Sequence, residues 1–98
     1  MRKLKNNELQ RITIDEFKNE SKNEIIVVLD NVRSAYNVGS IFRTSDAFLI
    51  KKIYLCGITC QPPSNDIRKS ALGSTKSVDW QYIKETKKAI EILKKEGY

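Results

Sequence analysis

Histidine is missing from this sequence altogether. Its absence removes the commonest general base and the commonest metal ligand. Acid–base chemistry must then use carboxylates, Arg, Lys or Tyr, or be completed by another segment. Cysteine occurs twice, as Cys56 and Cys60. Two sulfurs four residues apart, with no imidazole to join them, do not make a zinc site, and no metal is expected. The expectation is two reduced thiols, one buried, as in a cytosolic chain. The glycines are isolated, so there is no Gly-rich phosphate loop. Apolar runs of membrane-spanning length are absent. The start, MRKLKNNELQ, has a basic end but no apolar stretch behind it, so no signal peptide is read. A cytoplasmic protein without membrane contact is the simplest expectation. Internal repeats and low-complexity segments are absent too.

With 98 residues, the chain has material for one small domain. Its 18 Lys and Arg outweigh 12 acids, for a net charge of +6. Such a surplus is either an electrostatic footprint for nucleic acid or an ordinary solvated cationic surface. Residues 1–23 read as a basic N-terminal extension, with Arg2, Lys3, Lys5 and Arg11. Thr13 and Glu16 have the spacing of a capping box for a short helix, which Ile12 and Phe17 would staple to the body. This arm is either a solvated leader or an RNA contact.

Residues 24–98 read as alternating strands and helices. Ile25–Asp30 is nearly all β-branched and is expected as a central strand buried on both faces. Val38, Ile41, Phe42, Ser45, Phe48 and Leu49 then share one face of a helix, with Ser40, Arg43 and Ala47 opposite. Lys52–Cys56 is a second strand, which completes a parallel βαβ unit. Pro62 and Pro63 keep the next loop out of helix or inner strand. A short helix should follow, capped by Ser64, Asn65 or Asp66 and ending at Gly73. Ser77–Ile83 alternates Val78, Trp80 and Tyr82 against polar residues, as a strand does. Trp80 and Tyr82 suit core or subunit interface better than a stacking platform. Glu85–Glu96 is an amphipathic helix with Ala89, Ile90 and Leu93 inward and a Lys87–Glu91 pair outward. The order β-α-β-α-β-α predicts an α/β fold: a parallel sheet with flanking helices, interrupted where another strand would follow.

The loop after the first strand and the helix it feeds carry the chemistry. Asn37-Val38-Gly39-Ser40-Ile41-Phe42-Arg43-Thr44-Ser45-Asp46-Ala47-Phe48 resembles the first motif of the SpoU/TrmH family of RNA ribose 2′-O-methyltransferases, in the SPOUT (α/β-knot) superfamily. The pattern falls on Asn37, Gly39, Arg43, Thr44, Ala47 and Phe48. The family's usual next glycine is Leu49 here, which puts the usual C-terminal cap of this helix in doubt, because leucine does not take a positive φ cheaply. Ile67–Trp80 resembles the family's second RNA-facing segment. The resemblance implies the N-terminal half of an α/β-knot domain, with the knot region missing. It also implies an RNA substrate (tRNA or rRNA), a homodimer, and S-adenosylmethionine bound by motifs expected beyond Tyr98, with no cofactor-binding residue within this chain.

Two residues are assigned to catalysis. The resemblance implies that Arg43 is the family's catalytic residue, often proposed as the base. A guanidinium holds its proton, so orienting hydroxyl and phosphate through its planar fork is the safer role. Asn37 can cap the helix while reaching ribose or backbone. The RNA-binding candidates are Arg33, Tyr36, Ser40, Arg68, Lys69 and Ser70. Arg33 suits a phosphate and Tyr36 a base, though either also suits loop packing. Arg68, Lys69 and Ser70 match the RNA-facing segment, while two adjacent cations are also what a solvated surface carries. Two classes of function remain: the substrate-facing part of a methyltransferase, or a non-catalytic RNA-binding or dimerisation module.

Overall fold

A computed structural model of the protein describes residues 22–98. The expected capping box at Thr13 and Glu16 and the basic arm around it lie outside the described residues. The elements, in chain order, are β1 (Asn23–Asp30), α1 (Ala35–Ala47), β2 (Ile50–Cys56), α2 (Asn65–Ala71), the single turn α3 (Ser74–Ser77), β3 (Asp79–Ile83) and α4 (Thr86–Lys95). All three strands are parallel, in the order β1-β2-β3. The register aligns Val27 with Ile53 and Trp80, and Leu29 with Leu55 and Tyr82.

Strand alternation divides the apolar residues between two faces. Val27, Leu29, Ile53, Leu55, Trp80 and Tyr82 meet Val38 and Phe42 of α1 and Ile67 and Ala71 of α2. Ile26, Val28, Tyr54, Cys56 and Ile83 meet Ala89 and Leu93 of α4. The result is three layers, helices on each side of one sheet. Trp80 and Tyr82 are indeed core-facing, and the Tyr82 hydroxyl donates to the Gly57 carbonyl at 2.7 Å. No helix among the described residues is long and apolar enough to cross a membrane.

Several expectations need correction. Among the described residues the middle strand is β2, and β1 is an edge. Ile53, Tyr54, Leu55 and Cys56 are all buried, whereas Ile25 on β1 is 53% exposed. A β-branched run reports strand propensity, and cannot tell an edge position from a middle one. The strand predicted from Ser77 starts only at Asp79, because Ser74–Ser77 closes a helical turn through Val78 N–H to the Ser74 carbonyl. On α4, Ile90 is exposed, and the ion pair is Lys88 with Glu85 at 3.9 Å instead of Lys87 with Glu91.

Backbone handedness supplies the last correction. Leu49 does take a positive φ, +55°, just after α1, and keeps the turn that glycine would make easily. Leu72, the C-cap of α2, does the same at +53°, and its side chain is 64% exposed. A left-handed residue with a Cβ costs about 1–2 kcal/mol. Leu72 gains little burial in return. Leu72→Gly should therefore raise the thermal midpoint by about 2–6 °C, after allowing for the extra freedom of glycine in the unfolded chain. Scanning calorimetry reads the shift, and a lower midpoint would mean that the leucine side chain holds something in place.

Candidate functional site

Helix α1 starts earlier than its motif. Ser34 is the N-cap, and its hydroxyl accepts from the Asn37 N–H at 3.1 Å. Asn37 therefore stands in the first turn, with an exposed side chain that the cap does not use. The expected capping role of Asn37 belongs to Ser34.

Gly39 explains the spacing of the motif. A Cβ at this position would collide with Ser70 Oγ, and would lie 2.6 Å from the Ile67 carbonyl and 3.0 Å from the Ala71 nitrogen. α1 thus lies with its backbone directly against α2. Ser70 sits beneath this crossing, buried, its hydroxyl donating to the Asp66 carbonyl at 2.8 Å. One turn beyond Gly39, Arg43 emerges on the exposed side of the same crossing.

The crossing leaves a shallow groove of about 400 Å³ between the two helices. Tyr36, Ser40, Arg43, Thr44, Ala47 and Phe48 line it from α1 and its end, and Lys69 and Ser70 from α2. Five of the eight predicted site residues meet here: Tyr36, Ser40, Arg43, Lys69 and Ser70. Asn37, Arg33 and Arg68 are exposed but do not line it. The Ser40 hydroxyl donates back to the Tyr36 carbonyl at 3.2 Å. Among the described residues, the Arg43 guanidinium and the Lys69 ammonium have no hydrogen-bond or ion-pair partner.

Periodicity misplaced one lining residue. It puts Phe48 on the buried face, yet the residue is 54% exposed and borders the groove. Phe48 is the C-cap of α1, and helical spacing stops applying where the helix stops.

A larger concavity, about 720 Å³, opens beside β1, β2 and the end of α4. Both of its cations already have partners. Glu24 accepts from Lys51 at 3.0 Å and from the Tyr98 hydroxyl at 3.1 Å. The Lys51 contact, with that of Tyr98, holds the Glu24 carboxyl below its usual range. Lys52 donates to Gln81 at 3.0 Å and lies 4.7 Å from the Tyr54 ring centre. Cations left unpaired are the better sign of a ligand surface, and they lie in the smaller groove.

The carboxyl ends of the strands, the usual ligand position in such sheets, are tied together. Thr59 Oγ1 lies 2.7 Å from the Cys56 carbonyl and 3.2 Å from the Leu29 carbonyl, and accepts from Val32 N–H at 3.0 Å. The Asn31 side chain accepts from Ile58 N–H at 3.0 Å, and Thr86 donates to Asp30 at 2.6 Å. Burial pushes the Cys56 thiol up against an opposing hydrogen bond with Thr86, and the Asp30 carboxylate adds to the rise. Cys56 is therefore a protonated, buried thiol, unsuited to nucleophilic work.

The fold is the parallel α/β architecture of RNA methyltransferases of known structure. The SpoU rRNA Methylase family model matches residues 24–98, and the chain belongs to that family. It is 25% identical over 85 residues to an uncharacterized tRNA/rRNA methyltransferase of Synechocystis sp., a match that covers 87% of this chain and 22% of that protein. The crystal structure of an rRNA methyltransferase from Sinorhizobium meliloti superposes with a TM-score of 0.67 at 29% identity, over 80% of this chain and 30% of that one. The SpoU methyltransferase AviRb from Streptomyces viridochromogenes, solved with AdoMet, gives 0.69 at 20% identity over 90% and 31%. At that identity the likeness concerns the fold. The chain thus spans under a third of the length of these relatives.

The close crossing gives a direct test. Gly39→Ala should destabilise the protein by about 1–3 kcal/mol in urea unfolding, as overpacking does. Ser70→Ala in the same chain should recover less than half, because the Ile67 carbonyl and the Ala71 nitrogen stay in the way. Full recovery would mean that the serine hydroxyl alone sets the fit.

Proposed function

We propose that the whole protein is an S-adenosylmethionine-dependent RNA ribose 2′-O-methyltransferase acting on tRNA or rRNA in the cytoplasm, and that residues 24–98 are its substrate-facing part. The observation that carries this reading is the Arg43 guanidinium, unpaired among the described residues, in a groove beside Lys69 in a chain of this family. Residues 1–23 would add a basic arm along the RNA.

Arg43 presents two parallel donors to the phosphate next to the target ribose, and so fixes where the 2′-hydroxyl points. Because a guanidinium keeps its proton, its part is to position the hydroxyl and to offset negative charge as that proton leaves. Lys69 supplies a second positive charge across the groove. Asn37, Arg33 and Arg68 lie outside the groove lining, and suit RNA that extends past it. Asn37, one and a half turns before Arg43, reaches ribose or backbone from there.

The methyl donor does not suit either concavity of the described residues. Both are open, while a donor site needs an enclosing, largely apolar pocket. The groove at Arg43 also presents cations to a donor that is itself a sulfonium cation. We assign the donor pocket to parts of the relatives that this chain does not cover, and derive no step through it.

Arg43→Lys keeps the charge and loses the fork. In the whole protein, methyl transfer to RNA should fall at least ~100-fold, the scale of losing a positioned catalytic group. Circular dichroism should be unchanged. Near-normal turnover by the folded variant would remove Arg43 from the site.

We also propose a homodimer. Among the described residues β1 has no strand on its outer edge, and the exposed Ile25 lies on β1. In this 98-residue chain such an open edge beside apolar surface favours association. Light scattering at high micromolar concentration should give twice the chain mass or more, and a clean monomer would contradict the proposal.

A further inference from the structure

Tyr36 and Phe48 stand at opposite ends of the Arg43 groove. Both are among the most exposed large apolar residues, at 61% and 54%. An aromatic ring left in water at each end of a cationic groove is more than the core requires. Twelve residues separate them, which at the rise of a helix is about 18 Å. One stacked nucleotide advances about 3.4 Å along its strand. The two rings are therefore too far apart to clamp a single base. They suit a short run of nucleotides, up to about five if stacked and fewer if extended.

The residues between the rings fit such a run. Arg43 and Lys69 reach in from opposite helices, and neither charge is met by an acid among the described residues. Ser40, Thr44 and Ala47 are small and leave the floor low. Duplex RNA does not fit this pattern, because its bases are already stacked on one another and offer no free face to either ring.

We propose that this groove takes an unpaired RNA segment, with Tyr36 and Phe48 stacking on bases at its two ends and Arg43 and Lys69 meeting the phosphates between. This rests on the reading of the groove as RNA-facing, and goes beyond it in naming the state of the RNA and in adding Phe48. The enzyme would then act on a nucleotide in a loop or other unstacked stretch.

The test compares two RNA probes of equal length, a hairpin with an eight-nucleotide unpaired loop and a fully paired duplex, by fluorescence anisotropy. The hairpin should bind the protein at least ~10-fold tighter. Tyr36→Ala and Phe48→Ala should each weaken hairpin binding by about 5- to 150-fold, the range for losing one base–aromatic stack, and leave duplex binding unchanged. Tyr36→Phe, which keeps the ring, should bind as the parent does, and circular dichroism should confirm that every variant is folded. Lys69→Ala should weaken hairpin binding and reduce its salt slope by about one.

If Lys69→Ala behaves so while both aromatic variants bind normally, stacking is overturned and the RNA-facing groove stands. If neither probe binds at all, both readings fall. If Phe48→Ala instead turns a dimer into a monomer in light scattering, with hairpin affinity per chain unchanged, Phe48 belongs to a subunit contact and the proposal is overturned.

Discussion

The architecture of the candidate site depends on one close approach. Gly39 meets the backbone of Ile67 and Ala71 and the Ser70 hydroxyl, so α1 and α2 touch with only the small Ser70 side chain at the contact. Everything on the exposed side of that crossing inherits its geometry. Arg43 is one turn from the contact on α1, and Lys69 is adjacent to it on α2. A larger residue at position 39 would move the two cations apart before it touched either one. The glycine and the arginine of the motif are therefore one device, the first fixing the distance and the second using it. Ser70 completes it by keeping its hydroxyl on its own helix backbone, which leaves room for the approach.

The strand ends play a different part from the one their position advertises. In open parallel sheets they are the usual place for a ligand. Here Thr59, Asn31 and the Asp30–Thr86 contact satisfy the polar groups that emerge from β1 and β2. Gly57 belongs to the same arrangement: its φ of +64° and the Asn31 side chain against it both exclude a Cβ. This rim holds the loop that delivers Ser34, the N-cap of α1, and so orients the helix without lining the groove.

Much of this was legible in the residues. The three strands and the helices around them follow from period-two and helical spacing, and the motif and the segment after it point to Arg43, Tyr36 and Lys69. What was missed has physical causes. Strand order is a non-local property, so Ile25–Asp30 reads as central although β2 holds the middle among the described residues. Phe48 was assigned inward because a repeat was extended past the last helical residue. Ser34 outcompetes Asn37 as the cap because the helix begins two residues before the motif. Leu49 adopts a backbone conformation that leucine avoids, which shows tertiary packing overriding a local preference. The meeting of Gly39 with Ser70 joins residues far apart in the chain, and only folding brings them together.

The sheet also acts as a partition. The apolar residues of α1 and α2 pack on one of its faces and those of α4 on the other, in two separate clusters. The whole sheet layer therefore lies between α4 and the Arg43 groove. Energetic effects of substitutions are usually independent where distant sites share no partners. Changes to the lysine-rich outer surface of α4 and changes to the groove should thus combine additively. One side of this small domain can drift in sequence, or be rebuilt for solubility, while the other retains its ligand preference.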